Sequence, residues 1–287
     1  MHCRSQLFTL QDLDRMMGSE NVLINSSIDL QWPTVLVVLA AILVFSWVTV
    51  SKGWLALSGA IAASALGSCV VICAGFFWLA PLFFFFGSST LLGKLLQHKP
   101  TSRSDVKQGK PRDAMQVLCN GLVYGLCAAL IPLGHEQAGY TGMLISMAVA
   151  TSDTWSSEIG IAVKGSTWDI LRFKRVAPGL SGGISWAGTL GGVAGGIGLF
   201  SAVWSAQFIK GHDTILEVGL TFTTAVGVIG MLLDSVLGSA FQARYRTSEG
   251  SLADQGEELV RGWRWMTNDV VNLLSNAATT VAALGFL

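Results

Sequence analysis

The segment GYTGMLISMAVATSDTWSSEIGIAV, residues 139–163, joins a long apolar run to two acids near its carboxyl end. About 20 apolar residues in a helix cross the ~30 Å hydrocarbon core of a bilayer, and this segment is long enough to do so. An ionised acid near the centre of a membrane costs roughly 2.5 to 3.5 kcal/mol on insertion scales, so Asp153 and Glu158 are expected to serve a function. The segment therefore predicts a membrane-spanning helix with a polar site toward one end.

The rest of the chain has the same character. Of 287 residues, 51% are hydrophobic and 13% are charged, whereas about 25% of the residues of an ordinary soluble domain are charged. Apolar blocks that meet or approach the length of a membrane span are predicted at residues 33–50, 55–74, 76–93, 113–133, 139–163, 181–204, 217–241 and 268–287. We expect an all-α fold, a polytopic transmembrane helix bundle of about eight spans. Residues 1–32 are expected to form a leader outside the bundle, and residues 33–287 a single transmembrane domain whose motifs lie at about 85–280.

The basic residues predict the orientation of these spans. Most of the 18 Lys and Arg residues lie in alternate loops, near residues 100, 170 and 255, and they balance 18 Asp and Glu residues. By the positive-inside rule these loops are cytoplasmic, and eight spans then place both termini on the other side. The zero net charge gives no reason to expect a nucleic-acid partner. The lipid bilayer is the first expected partner, in a multi-pass membrane protein whose membrane is not identified but would be the cell membrane in a prokaryote.

No pattern of histidine and cysteine suggests a zinc site. The four histidines are scattered singly, and the five cysteines include no C-x-x-C pair. Zinc sites in proteins use Cys and His at short, recognisable spacings. A zinc enzyme is therefore not expected.

The first polar cluster is KQGKPRDAMQVLCNG, residues 107–121. At 100° per residue its polar side chains share one stripe of a helix, which cannot face lipid; the stripe comprises Asp113, Gln116, Asn120 and Tyr124. Three cations precede it on a segment suited to wrapping an anion, namely Lys107, Lys110 and Arg112. These cations are either phosphate ligands or ordinary positive-inside anchors.

Two further clusters follow. Asp153 and Glu158 lie about 140° apart around an ideal helix. They cannot converge on one ion unless the helix is broken or they face two neighbouring helices. The segment PGLSGGISWAGTLGG, residues 178–192, gives a helix a glycine-rich entry at Ser181, Gly182 and Gly183, and such an entry can bind an anion. It lacks the Walker pattern. Glycines from 188 to 196 follow a helical spacing that is more typical of tight helix packing.

The last two clusters are LLDSVLGSAFQARY, residues 232–245, and MTNDVVNLLSN, residues 266–276. The first supplies Asp234. The second places Asn268, Asp269, Asn272 and Asn276 within about 100° of one another on the last helix. Acids that hold Mg²⁺ beside cations that hold phosphate are the parts of a phosphoryl-transfer site.

Five ordered blocks, RDAMQVLCNG, SDTWSSEIG, SGGISWAGTLGG, DSVLGSAFQ and NDVVNLLSN, resemble the family catalogued as domain of unknown function 92. That family includes transmembrane protein 19 and the plant phytyl-phosphate kinase. The resemblance implies a multipass membrane enzyme that uses CTP or another nucleoside triphosphate to convert an isoprenyl monophosphate into the diphosphate. It carries a role over to Asp113, Asn120, Asp153, Glu158, Asp234, Asn268 and Asn272. The blocks depart from the family pattern at Asp269, where asparagine is usual.

The site expected from these arguments has three parts. The catalytic residues are expected to be Asp153, Asp234, Asn120 and Asn272. The phosphate or nucleotide ligands are expected to be Lys107, Lys110, Arg112, Ser181, Gly182 and Gly183. A Mg²⁺ ion would be held by Asp153, Glu158, Asp234 and Asp113.

Two questions stay open at this point. The acceptor is either an already ionised monophosphate, which needs no catalytic base, or an alcohol, for which Asp153 or Asp234 could serve as base. The alternative class is a multipass transporter of an anionic or lipid-phosphate substrate. Transporters usually place such groups near the bilayer midplane and show paired repeats, and neither pattern occurs in this sequence.

Overall fold

A computed structural model of the protein describes residues 32–96, 110–163, 165–210, 218–246, 252–254, 256 and 258–287. All of the predicted leader except Trp32 lies outside these residues, as does Lys107. The chain divides into two compact units, residues 1–47 and 48–287. In the first unit the described residues form the greater part of one helix. All of the polar clusters lie in the second unit.

The described residues contain eight α-helices, one for each predicted apolar block. They are α1 (Trp32–Ser51), α2 (Leu57–Ala74), α3 (Leu79–Leu95), α4 (Ala114–Leu130), α5 (Glu136–Ala162), α6 (Trp186–Lys210), α7 (Leu220–Phe241) and α8 (Asn268–Phe286). Short 3₁₀ turns, Phe76–Trp78 and Ile131–Leu133, precede α3 and follow α4. The predicted helical blocks are therefore confirmed to within a few residues.

Five helical segments of the described chain are long and apolar enough to cross a membrane. They are Leu57–Ala74, Phe76–Leu95, Ala114–Leu133, Trp186–Ala206 and Leu220–Phe241. Helix α5 is not among them, although its middle is the most enclosed part of the protein. A helix surrounded by other helices need not be apolar on every face. The count of eight spans and the side of each terminus stay predictions.

Local chemistry fixes where α4 and α8 begin. Asp113 caps α4, because its carboxylate accepts from the Gln116 N–H at 3.0 Å while the Gln116 side chain accepts from the Asp113 N–H at 3.2 Å. This reciprocal arrangement is a capping box. At α8 the Thr267 hydroxyl accepts from the Val270 N–H. Both helices therefore start at the end of the bundle where the polar clusters lie.

Helix α5 is the centre of the second unit. It contacts α3, α4, α6, α7 and α8, and its residues from Gly142 to Ser152 are buried. Glycines on α6 let the two backbones approach: a Cβ on Gly195 would lie 3.0 Å from the Thr151 carbonyl oxygen, and one on Gly191 would lie 3.0 Å from that of Trp155. The packing role predicted for the α6 glycines is confirmed.

The loops hold β-structure that the all-α prediction omitted. One three-stranded antiparallel sheet has the order β2-β1-β3, and a second has the order β5-β4-β6. The strands are β1 (Thr167–Asp169), β2 (Arg175–Val176), β3 (Gly183–Ile184), β4 (Arg244–Arg246), β5 (Leu252–Ala253) and β6 (Glu258–Arg261). Strands of two to four residues are too short to show an alternating pattern in the sequence. The fold is thus mostly helical, with two small sheets in the basic loops.

Two residues of the predicted polar faces fasten helices together. The Tyr124 hydroxyl on α4 donates to the Trp78 carbonyl at 2.5 Å, and the Asn276 amide on α8 donates to the Ser146 carbonyl on α5 at 3.0 Å. Tyr124 and Asn276 are buried. These contacts satisfy polar groups inside the bundle, and neither residue lines the cavity described next.

Candidate functional site

A cavity of about 940 Å³ lies where the polar clusters meet. Its walls come from the ends of α3, α4, α5 and α7, the start of α8 and the segments that carry the two small sheets. The sequence-predicted residues that line it are Lys110, Arg112, Gln116, Asn120, Asp153, Glu158, Ser181, Gly182, Gly183, Asp234, Asn268, Asp269 and Asn272. The structure therefore brings together predicted residues from five separate segments of the chain.

Asp234 is an acid of the cavity held by two neighbouring side chains. It is buried, and its Oδ2 accepts a hydrogen bond from the Ser275 hydroxyl at 3.1 Å. In the amide orientation that satisfies both of its polar atoms, Asn272 also donates to Asp234 Oδ2 at 3.1 Å and to the Asn268 carbonyl at 2.9 Å. Two side chains of α8 thus aim one carboxylate oxygen of α7.

Asp153 and Glu158 face different neighbours. Asp153 lies near enough to Asp234 for the charge of one to act on the other. Glu158 lies beside α3, because a Cβ on Gly93 would be 3.6 Å from its carboxylate, and its charge acts on Arg112. Of the alternatives that the sequence left open, the structure shows the one in which the two acids face two elements.

The acids meet only part of what a divalent cation requires. Within the described ranges no three His, Cys, Asp or Glu side chains converge as a metal centre. Asp113 caps α4 and does not line the cavity, and Glu158 faces the basic side. Mg²⁺ usually takes one or two carboxylates together with waters and substrate phosphates. Asp153 and Asp234 fit that donor set, whereas the four predicted acids do not form one cluster.

Arg112 forms the basic wall. Its guanidinium donates to the Ser89 hydroxyl on α3 at 3.1 Å, and its backbone pairs with the loop between α1 and α2 through Trp54 and Ala56. Burial lowers the pKa of Arg112, and the charge of Glu158 opposes that shift. Arginine remains protonated in proteins. Arg112 is therefore a fixed cation rather than a mobile surface anchor.

Two lysines extend this wall. Lys94 lies with its ammonium 4.5 Å from the centre of the Trp54 ring, and Lys110 is exposed on the cavity lining. A cation over an indole face is attracted by the ring. The basic wall thus combines two held cations with one exposed cation.

The turn at Ser181–Gly183 is clamped against the end of α7. The Ser181 hydroxyl donates to Gln242 Oε1 at 2.6 Å, and the Arg244 guanidinium donates to the Ser181 carbonyl. Gly182 has φ +79°, and a Cβ there would lie 2.6 Å from the Ser239 nitrogen, so this position requires glycine. The turn therefore has a defined shape. The predicted helix entry with free N–H groups is wrong for Gly183, because this residue begins β3, its N–H donates to the Leu180 carbonyl at 2.9 Å, and α6 begins only at Trp186.

A charged network that sequence reasoning missed supports this turn. The Ser239 hydroxyl donates to Asp169 Oδ1 at 2.6 Å, and Arg172 pairs with Asp169 at 3.2 Å and donates to the Ser239 carbonyl at 2.9 Å. Burial raises the pKa of Asp169, but the hydrogen bonds from Ser239 and the backbone, with the charge of Arg172, outweigh it, and the net pKa is lowered. In the sequence, Arg172 is one of several basic residues of a loop that is predicted to be cytoplasmic, and Asp169 belongs to no recognisable motif.

Asn120 completes the predicted set. Its amide donates to the Gln116 carbonyl one turn earlier on α4 at 2.9 Å, and its side chain lines the cavity. Asn120 and Asn272 thus flank the acids from two helices. The arrangement places anionic and cationic side chains on the walls of one cavity, which suits a ligand that carries phosphate groups.

Membrane-length helices around a polar cavity define the class of this molecule as a multi-pass integral membrane protein with an internal polar site. Residues 40–280 match the family described as integral membrane protein DUF92, and the chain belongs to that family. No solved structure matches the chain.

Several curated proteins are similar to this chain. An uncharacterized membrane protein of Methanocaldococcus jannaschii is 35% identical over 189 residues, which cover 65% of this chain and 74% of that protein. Protein PGR of Arabidopsis thaliana is 29% identical over 59% of this chain and 66% of its own length. The chloroplastic protein VTE6 of Arabidopsis thaliana is 27% identical over 72% of this chain and 57% of its own length. The similarity therefore reaches proteins of Methanocaldococcus jannaschii and of Arabidopsis thaliana.

Proposed function

We propose that this protein is a membrane phosphotransferase that converts an isoprenyl monophosphate into the diphosphate, with CTP or another nucleoside triphosphate as donor and Mg²⁺ as cofactor. One observation carries the proposal: the acids Asp153 and Asp234 share a single cavity with the cations Arg112 and Lys110. The resemblance to a family that includes a plant phytyl-phosphate kinase supports the same reaction.

The roles follow from the chemistry of the two substrates. Both are anions, so the main obstacle is their mutual repulsion. Lys110, Arg112 and the Ser181–Gly183 turn bind phosphate oxygens. An acceptor phosphate oxygen attacks the terminal phosphorus of the donor, the bond from that phosphorus to the bridging oxygen breaks, and the nucleoside diphosphate leaves. Because the acceptor is already ionised, no proton has to be removed.

The two acids would hold the metal ion. Mg²⁺ bound there supplies positive charge to the phosphoryl oxygens during transfer. Asn272 and Ser275 fix the direction of the Asp234 carboxylate, and Asn120 supplies a further amide at the wall. This division leaves Glu158 to balance Arg112 rather than to bind metal.

The lipid acceptor would reach the cavity beside α3. This helix lines the cavity through Ser89, Thr90 and Gly93, while Phe83, Leu91 and Leu95 on it are exposed. An isoprenyl tail needs an apolar surface, and its phosphate needs the polar cavity. Helix α3 offers both within one helix, so the tail lies along its outer face in the bilayer.

Purified protein in detergent tests the proposal. It is incubated with labelled CTP or ATP, Mg²⁺ and a panel of prenyl alcohols and prenyl monophosphates. We expect labelled diphosphate only from monophosphates, and none after chelation of Mg²⁺. An Asp153→Asn, Asp234→Asn double variant is the control. Absence of transfer to every acceptor by well-folded protein would reject the proposal, and movement of a lipid phosphate across vesicles without transfer would favour a transporter.

A further inference from the structure

Gln242 follows the last residue of α7 and carries an unsatisfied donor. Its side chain is 1% exposed and lines the cavity. Its Oε1 accepts from the Ser181 hydroxyl at 2.6 Å, whereas its Nε2 has no hydrogen-bond partner within the described residues. Buried amide nitrogens in proteins are nearly always paired. Because Gln242 lines the cavity, a ligand bound there can supply the partner that Nε2 lacks.

The backbone around Gln242 is held from both sides. The Trp263 N–H donates to the Phe241 carbonyl at 3.1 Å, and the Ala243 N–H donates to the Met266 carbonyl at 3.0 Å. Gly262, with φ +76°, lies against the Gln242 carbonyl so closely that no Cβ fits there. Because the chain is fixed on both sides, the side chain of Gln242 has a fixed point of origin at the cavity wall. Its amide is positioned before any ligand arrives.

The surroundings identify the chemistry of the missing partner. Oε1 is already satisfied by Ser181, so the amide offers only N–H donors, and its partner must be an acceptor. The guanidinium of Arg244, which is 2% exposed, donates to the Ser181 carbonyl, and its charge is paired with Asp254 at 2.7 Å. The local charge is therefore balanced, and the anionic character of the partner follows from the proposed function, in which the cavity holds phosphate groups. A phosphoryl oxygen is an acceptor that suits a fixed N–H donor.

We propose that Gln242, aligned by Ser181, binds a phosphoryl oxygen of the nucleoside triphosphate. The proposal rests on the proposed function and adds a residue that the sequence did not single out. Gln242 is thus a binding residue that contacts substrate.

Equilibrium binding tests this assignment. Labelled CTP and, separately, inorganic diphosphate are titrated onto detergent-purified wild type, Gln242→Met and Gln242→Glu. We expect Gln242→Met to weaken binding of both probes at least about tenfold, the effect of one hydrogen bond to a charged group. Gln242→Glu should weaken both further, since a carboxylate repels phosphate. Gln242→Met removes an unsatisfied donor but also takes the acceptor from the Ser181 hydroxyl, so thermal unfolding without ligand is measured beside binding to show that the variant is folded.

Thr279→Val is the matched control. Thr279 is also buried with an unpartnered hydroxyl, but it does not line the cavity. This variant should bind both probes as wild type does.

If wild type binds neither probe, the proposed function and this inference both fail. If wild type binds and Gln242→Met binds equally well, only the inference fails. Tighter binding by Gln242→Glu would show that the ligand presents a donor and would overturn the phosphate assignment. Should Gln242→Met misfold, Gln242→Glu and Ser181→Ala decide the matter by the same comparison.

Discussion

The hydroxyl of Ser275 on α8 donates a hydrogen bond to Oδ2 of Asp234 on α7, across 3.1 Å. The bond joins the polar face of the last helix to an acid of the cavity. In the same place the Asn272 amide donates to the same oxygen. With two donors on Oδ2, the carboxylate of Asp234 has a fixed direction at the cavity wall. Groups that orient a metal-binding carboxylate in this way commonly govern its affinity for the ion.

The acids of the cavity should be required for turnover. Asp153→Asn and Asp234→Asn preserve side-chain shape and remove the charge that a hard cation needs. We expect each to lower the rate of Mg²⁺-dependent transfer by more than about a hundredfold. That loss is larger than the loss usual for residues that only orient a metal ligand. The measurement is the rate of diphosphate formation at several Mg²⁺ concentrations, with membrane insertion checked by yield and monodispersity.

Asp113→Asn is the control for these variants. Asp113 caps α4 outside the cavity lining, and asparagine caps helices about as well as aspartate. This variant should keep its activity. A loss of turnover in Asp113→Asn as severe as in Asp234→Asn would instead support the metal role predicted from the sequence, and full activity in both cavity variants would refute the metal assignment.

Substitutions at Lys110 and at Arg112 should both weaken nucleotide use but should differ in their effect on the melting temperature of the protein. Lys110→Gln and Arg112→Gln each remove a charged contact worth roughly 1.5 to 3 kcal/mol, and we expect nucleotide use to weaken about ten- to a hundredfold. Only Arg112→Gln should also lower the melting temperature, because it loses the bond to Ser89. Nucleotide dependence and thermal unfolding are measured together. Lys52→Gln, in another loop and off the cavity lining, serves as control. Unchanged kinetics in both variants would mark these cations as topology anchors.

The fold was largely predictable because long apolar blocks carry their own signal. Each predicted block contains one helix of the described chain, and the α6 glycines pack as their spacing indicated. The strands escaped prediction because their stability comes from pairing across loops, as between Trp168 and Arg175 or Trp168 and Ile184. Such pairs are too short to leave a period in the sequence.

The sequence predicted which segments contribute polar residues to the cavity. It did not predict which side chains contact one another, because helix packing decides those contacts. Arg172 and Ser239 are 67 residues apart, and Ser181 and Gln242 are 61 apart. Asp113, by contrast, was predicted as a metal ligand, but its hydrogen bonds with the nearby Gln116 make it the N-cap of α4. Gln242 lies in the polar segment 232–245, yet only the structure shows that its Nε2 has no hydrogen-bond partner among the residues it describes.

Asp169 should make the stability of the folded protein fall at acidic pH. Its pKa is lowered in the folded protein, so its contribution is complete above the unfolded value near 3.9 and is lost as pH falls through the folded pKa. Thermal unfolding in detergent is measured from neutral pH to about pH 3. Asp169→Asn should show a shallower decline than wild type below about pH 4. Glu258→Gln is the comparison, since its pair with Arg246 is exposed at both ends and contributes little. An identical decline in wild type and Asp169→Asn would contradict the prediction.

The contact between α5 and α6 should tolerate no added methyl group. In Gly195→Ala the new Cβ would lie 3.0 Å from the Thr151 carbonyl and 3.2 Å from the Trp155 side chain. Overpacking of this kind costs about 1 to 3 kcal/mol, and we expect a lower melting temperature. Gly87→Ala on α3 meets nothing within 4 Å and should be neutral or stabilising. Equal melting temperatures for both variants would show that the two helices can separate without cost.

The side of the membrane that the cavity faces can be tested along α5. This helix has 27 residues, about 40 Å at 1.5 Å per residue, which exceeds the ~30 Å hydrocarbon core. His135 precedes its first residue, and the exposed Lys174 lies in the loop beyond its other end, where Asp153 and the cavity are.

With the native cysteines replaced, His135→Cys and Lys174→Cys are labelled by an impermeant thiol reagent in sealed cells. By the positive-inside rule we expect His135→Cys to react from outside and Lys174→Cys only after permeabilisation. That result would open the cavity to cytoplasmic nucleotide, as a phosphotransferase requires. Labelling of Lys174→Cys in intact cells would invert the topology and remove the nucleotide supply on which the proposed reaction depends; Ser102, an alternative label, lies outside the described residues.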